Sequence, residues 1–70
     1  MKLTEVSLRD SVPVLTAQGK FDRLQMVKSQ DGREITYVPE YGIIVDVPGH
    51  DLQIIPLSNV RYVRAVRASK

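Results

Sequence analysis

The sequence predicts a small all-β domain of short antiparallel strands. β-Branched and aromatic residues dominate from Met26 onward, without the helical periodicity of about 3.6 residues. Two dipeptides suited to tight turns, Asp31-Gly32 and Pro48-Gly49, separate apolar runs. The longest of those runs, Gly42-Ile43-Ile44-Val45, has the length of a strand and falls far short of the roughly 20 residues that a membrane-spanning helix needs.

At the start, Leu3 to Leu8 reads as one strand followed by loop, because Val6, Leu8, Val12 and Val14 alternate while Pro13 and Gly19 interrupt them. A short helix over Ser7–Ser11 is the competing reading, so residues 1–19 are the least defined segment. Next comes a hairpin. Asp31-Gly32 suits the positive φ angles of a two-residue turn, with arms from Phe21 to Ser29 and from Arg33 to Val38. On the second arm Ile35 and Tyr37 share one face while Glu34 and Thr36 take the other.

Pro39-Glu40 makes a corner into a strand on which Tyr41, Ile43, Val45 and Val47 alternate with Gly42, Ile44 and Asp46, and Ile44 suggests burial on both sides. Pro48-Gly49 fits the centre of a type II turn, which returns the chain as Asp51 to Ile55. Pro56-Leu57-Ser58-Asn59 predicts a single 3₁₀ turn, and Val60 to Val63 a final strand. Residues 65–70 read as a mobile basic tail.

The chain of 70 residues fits a single domain, and at this size a fold buries only about 60% of the surface its unfolded chain exposes. With no cysteine and one histidine, disulfides and most zinc sites are excluded, leaving packing or association with a partner as the sources of stability. The start, Met1-Lys2-Leu3-Thr4-Glu5-Val6, has no signal-peptide apolar stretch, so the expected setting is the cytoplasm, with no membrane association. Ten basic against eight acidic residues leave a net charge of +2, which neither demands nor excludes nucleic acid.

The run Ile54-Ile55-Pro56-Leu57-Ser58-Asn59-Val60-Arg61-Tyr62-Val63, preceded by the Asp31-Gly32 hairpin, resembles the small SH3-like and Sm-like barrels. The resemblance implies an antiparallel barrel of about five strands with one 3₁₀ turn. It implies no activity, since that fold hosts many unrelated roles. In its compactness and lack of cysteine the chain also resembles bacteriophage-encoded accessory proteins, which would place it in the host cytoplasm or the virion.

Catalytic signals are sparse. His50, the lone imidazole, lies in the Pro48-Gly49 turn, where an exposed and unperturbed side chain is expected; the chemical alternative is a metal site of Asp46, His50 and Asp51. Ser58 reads as turn chemistry, and the isolated glycines make no phosphate-cradling loop. Neither catalysis nor a cofactor is expected.

The basic end is more informative. Arg61, Arg64, Arg67 and Lys70 crowd the last ten positions without an acidic neighbour, although a strand would point Arg61 and Arg64 to opposite faces. Tyr37, Tyr41, Tyr62 and Phe21 are the aromatic rings; they either complete a thin core, or rim it with their hydroxyls in water, or serve a binding surface, for which Tyr41 and Tyr62 are the leading candidates. The expected function is a non-catalytic protein-interaction or assembly module: an inhibitor, an adaptor or a particle-stabilising subunit, bound to a protein partner or to itself through a free strand edge. The alternative is a nucleic-acid-binding barrel that uses Tyr41, Tyr62, Arg61, Arg64 and Arg67.

Overall fold

A computed structural model describes residues 1–30 and 32–67. The elements are β1 (Lys2–Leu15), β2 (Phe21–Lys28), β3 (Glu34–Val38), β4 (Gly42–Asp46), β5 (Gln53–Ile55), a 3₁₀ turn (Leu57–Asn59) and β6 (Val60–Ala65). The all-β expectation holds, with six strands among the described residues in one sheet of antiparallel pairs. None of the described helices is long and apolar enough to cross a membrane.

The expected loop after Leu8 is instead strand. β1 runs on through Pro13 to Leu15, and its pairing with β2 is broken only where Leu8–Ser11 bulge out between the pairs Ser7↔Met26 and Val12↔Leu24. The stretch Ser7–Ser11, open to a helical reading, is strand that enters this bulge after Ser7. Its turned-out carbonyls are bonded from β2: Arg23 Nη1 donates to Ser11 O at 2.9 Å and Gln25 Nε2 to Arg9 O at 3.0 Å. The alternation of Val12 and Val14 therefore outweighs Pro13, which at an edge has no N–H to contribute.

The second correction concerns the hairpin. Its turn forms: Gln30 and Arg33 exchange backbone hydrogen bonds at 3.1 and 2.8 Å, and Gly32 has a φ of +84°; Asp31 lies outside the described residues. The arms, however, do not pair. They lie end to end along β1, with Val27 opposite Val6, Lys28 opposite Glu5, Ser29 N bonded to Thr4 O, and then Ile35 opposite Leu3 and Thr36 opposite Lys2. The turn is an excursion looped out of one long antiparallel track. The reason is burial. Pairing the arms outward from Gln30↔Arg33 would set Lys28 opposite Ile35, and cross-strand partners share a face, so a charge would enter the core. Pairing with β1 puts both Val27 and Ile35 inside, with exposures of 0% and 1%.

β3, β4 and β5 form the expected meander. Tyr37 pairs with Ile43, Val45 with Ile35 and Gln53, and Ile43 with Ile55. Ile44 is half-buried, not covered on both sides. The Pro48-Gly49 turn closes through His50 N to Val47 O at 3.0 Å with Gly49 at φ +88°, while the return strand begins at Gln53 and not at Asp51. Gly42, at φ +113°, is a tighter requirement: a Cβ there would stand 2.6 Å from Ile55 O. The predicted 3₁₀ turn and final strand are present, and Ala65, assigned to the tail, belongs to β6. Val66 and Arg67 are exposed; the remainder of the expected tail, residues 68–70, lies outside the described residues.

The core is wholly aliphatic: Leu3, Val6, Leu8, Val14, Leu15, Val27, Ile35, Ile43, Val45, Val47 and Ile55. Tyr37 packs against its margin. Phe21, Tyr41 and Tyr62 lie outside it, 61%, 62% and 41% exposed, so the rings do not complete the core as one reading of the sequence had them doing.

Candidate functional site

The site follows from which strand edges are left open. The edge of β1 opposite β2 is covered along its length: β6 pairs with it from Leu3 to Leu8. Beyond that, two carboxamides stand in for a strand. Asn59 accepts from Asp10 N at 2.9 Å and donates to Asp10 O at 3.1 Å; Gln53 accepts from Leu15 N at 2.9 Å and donates to Pro13 O at 2.7 Å. A carboxamide has the donor and acceptor of a peptide bond, so each can close backbone groups that an edge would expose.

Three outer edges remain, on β2, β5 and β6. β5 is three residues long and is followed by Pro56. β2 carries charges of both signs in Asp22, Arg23 and Lys28, a common protection of free edges. β6 differs. It pairs only with β1 among the described residues, and it carries Arg61 and Arg64 and no acid, with Arg67 two positions past its end.

Beside β6 lies a shallow cleft of about 380 Å³, lined by Met1, Tyr37, Leu57, Val60, Tyr62 and Val63. Met1, Leu57, Tyr62 and Val63 are all exposed, so the cleft is an apolar surface open to solvent. The register fixes the two faces of the strand. Val63 opposes the buried Val6, and Tyr62 and Arg64 oppose Ser7 and Glu5. Arg64 Nε lies 3.3 Å from Glu5 Oε2, and its guanidinium stands over the Tyr62 ring at 5.6 Å from the centroid, within cation–π range. Tyr62 itself lines the cleft together with Val63, and Arg64 stands at its outer side.

The expected site residues come together only in part. Tyr62 and Arg64 adjoin. Arg61 is the unpaired residue of a bulge between Val60↔Leu8 and Tyr62↔Ser7, so strict alternation with Arg64 is broken. Arg67 lies exposed just past β6. Tyr41 is at the β3–β4 turn and does not line the cleft that holds Tyr62.

His50 is exposed, yet it is not an isolated loop side chain. It lies against the β1–β2 turn so closely that a Cβ on Gly19 would be 2.6 Å from its Nε2. Asp46, His50 and Asp51 form no ligand set, since no group of three or more such side chains able to hold a metal occurs among the described residues.

Arg33 is a residue whose role sequence reasoning missed. Expected as an ordinary start of a strand arm, it is 3% exposed, and its guanidinium is spent on backbone carbonyls. Nε and Nη2 donate to Lys28 O at 3.1 and 2.6 Å, and Nη1 donates to Leu15 O at 3.2 Å. Burial lowers its pKa from the ordinary arginine value. The fork ties the looped-out turn to the last residues of β1 and β2, a structural role that no local pattern announces. Leu57 and Met1, which extend the cleft, also carried no signal, because their neighbours are supplied by chain segments far apart in sequence.

Comparison with protein-family models, curated proteins and solved structures finds no significant match to the chain.

Proposed function

We propose that the protein is a non-catalytic interaction or assembly module, built as a small SH3-like barrel, that engages a protein partner through β6 and the cleft beside it. The observation that carries this reading is the exposed apolar cleft along a strand that pairs only with β1 among the described residues. Burial of Leu57, Tyr62 and Val63 against a partner would recover hydrophobic free energy that so small a core leaves unused. The barrel reading is supported by the track from β6 through β1 to β2 and β3, then β4 and β5, with the 3₁₀ turn leading back to β6.

A second reading, a nucleic-acid surface, draws on Arg61, Arg64 and Arg67 beside Tyr62, since single-strand binders combine stacking rings with positive grooves. Protein recognition takes precedence because Glu5 offsets the Arg64 charge and Arg64 covers one face of the Tyr62 ring.

Changing Arg61, Arg64 and Arg67 together to glutamine separates the two. Binding of a labelled oligonucleotide at two salt concentrations should be weak for the unmodified protein, while a protein partner should be retained from nuclease-treated lysate. Tight oligonucleotide binding that falls steeply with salt, with its slope flattened by about two to three units in the triple variant, would overturn the protein reading.

A further inference from the structure

We infer that the protein assembles with itself head to tail, the basic and apolar end at β6 of one copy docking on the acidic and apolar outer face of β3–β4–β5 of the next. The inference rests on the interaction reading above and names the partner as a second copy. Charge is segregated along the chain. From Glu34 to Val60 there are four carboxylates, Glu34, Glu40, Asp46 and Asp51, and no lysine or arginine; from Arg61 onward there are three arginines and Lys70, and no acid. β6 reaches β4 only across β1 and β3. Among the described residues no ion pair joins the two groups, since Arg64 is bridged to Glu5 and Glu34 to Lys2.

Each surface sets apolar groups beside its charge. Ile35, Ile43 and Val45 are buried, so residues of the other parity form the outer face of the meander. Two rungs cross it. Glu34 opposes Asp46, and on the next rung Thr36, Ile44 and Ile54 stand in line. Like charges opposite each other destabilise a strand pair; Lys2 meets Glu34 at 3.4 Å, while Asp46 has no ion pair among the described residues. Ile54 is exposed, and beside it opens a shallow cleft of about 430 Å³ shared with Pro13, Phe21 and Pro56. The β6 end has the same make-up with the opposite charge: exposed Leu57, Tyr62 and Val63 line its cleft, and exposed Arg61 adjoins the lining residues Val60 and Tyr62 in the chain. Docked on each other, these surfaces bring apolar groups together and arginine to carboxylate, whereas either surface on its own kind would bring like charges together. The contact is therefore between unlike surfaces. Each pair of copies keeps one surface of each kind open, so growth continues past the dimer. A stable contact takes about 800 Å² from each copy, so two contacts would use about a third of the 4800 Å² surface, and association would supply stability that a core without disulfide or metal lacks.

The test measures the mass of the full chain by light scattering over a range of concentrations, at about 0.1 M and about 1 M salt, where charges are screened beyond about 10 Å and about 3 Å. The unmodified protein should grow past the dimer, and its association should weaken at least about tenfold at the higher salt. Two variants each disable one surface: Asp46→Lys with Ile54→Lys on the outer face, and Leu57→Gln with Arg61→Gln and Val63→Gln at the β6 end. Both should give the far-ultraviolet circular dichroism of the unmodified protein, and each alone should stay monomeric. Mixed in equal amounts they should form a complex of twice the monomer mass and none larger, because each retains the surface the other lacks. Where a multiple variant fails to fold, Asp46→Lys or Arg61→Gln alone should weaken association at least about tenfold, equivalent to about 1.4 kcal/mol.

A monomer at every concentration, association that salt does not weaken, self-association of either folded variant, or a mixture that stays monomeric would each overturn head-to-tail assembly. If the protein were monomeric and the β6 variant then lost a different protein captured by the unmodified chain from nuclease-treated lysate, the interaction reading would stand with another occupant. If no protein were captured either, both would fall. An assembly that an oligonucleotide dissolves by taking the β6 end at equal concentration would equally overturn the second copy as its occupant.

Discussion

Replacing Arg33 tests the account of how the looped-out turn is held. Arg33→Met keeps much of the apolar stem and removes the donors to Lys28 O and Leu15 O. The bond to Leu15 O is buried, so losing it leaves an unsatisfied carbonyl at a cost of about 1 to 3 kcal/mol; the partly solvated bonds to Lys28 O add about 1 kcal/mol. Removing a desolvated cation returns part of this. A net loss of about 1 to 3 kcal/mol is expected, large against the total of about 4 to 10 kcal/mol for a chain of this length. With a urea slope near 1 kcal/mol per molar, the unfolding midpoint should fall by about 1 to 3 M, measured by far-ultraviolet circular dichroism. Arg33→Lys keeps the charge without the fork and should lose at least as much. Midpoints for both variants within about 0.5 kcal/mol of the unmodified protein would refute the reasoning.

Two further perturbations probe the packing. Gly42→Ala should cost about 2 to 3 kcal/mol in thermal or urea unfolding, because strain at φ +113° adds to a Cβ placed 2.6 Å from Ile55 O, whereas Gly49→Ala, with open space around it, should cost about 1 kcal/mol from φ alone. Gln53→Ala should lower stability by about 1 to 3 kcal/mol and speed amide exchange at Leu15, whose N–H then loses its acceptor; unchanged exchange there would show that the carboxamide does not cap the β1 edge.

What the sequence determined by itself is local. Gly32 and Gly49 adopt the positive φ that their turns require, Pro56 to Asn59 makes its 3₁₀ turn, and the alternation over Ile43 to Val47 puts the odd-numbered residues inside. Each depends on a few consecutive residues, so propensity and period suffice. Pairing does not. The turn at Gly32 was readable, but whether its arms join each other or line up on β1 was decided by where Val27, Lys28 and Ile35 would point in each register. That comparison was implicit in the sequence and needs the identity of the third strand.

The candidate site divides the same way. The concentration of arginine after Val60 and the presence of Tyr62 were legible as composition. The tertiary structure alone placed Arg64 over Tyr62 and beside Glu5, left Tyr41 elsewhere, and gathered Met1, Tyr37 and Leu57 into a cleft with Val63. It also gave Arg33, Gln53 and Asn59 their backbone partners, which lie from 5 to 49 positions away in the chain. A side chain that bonds to backbone leaves no mark on its partner's identity, because every residue offers the same carbonyl, and so such contacts are set by the fold and not by a pattern that can be read along the chain.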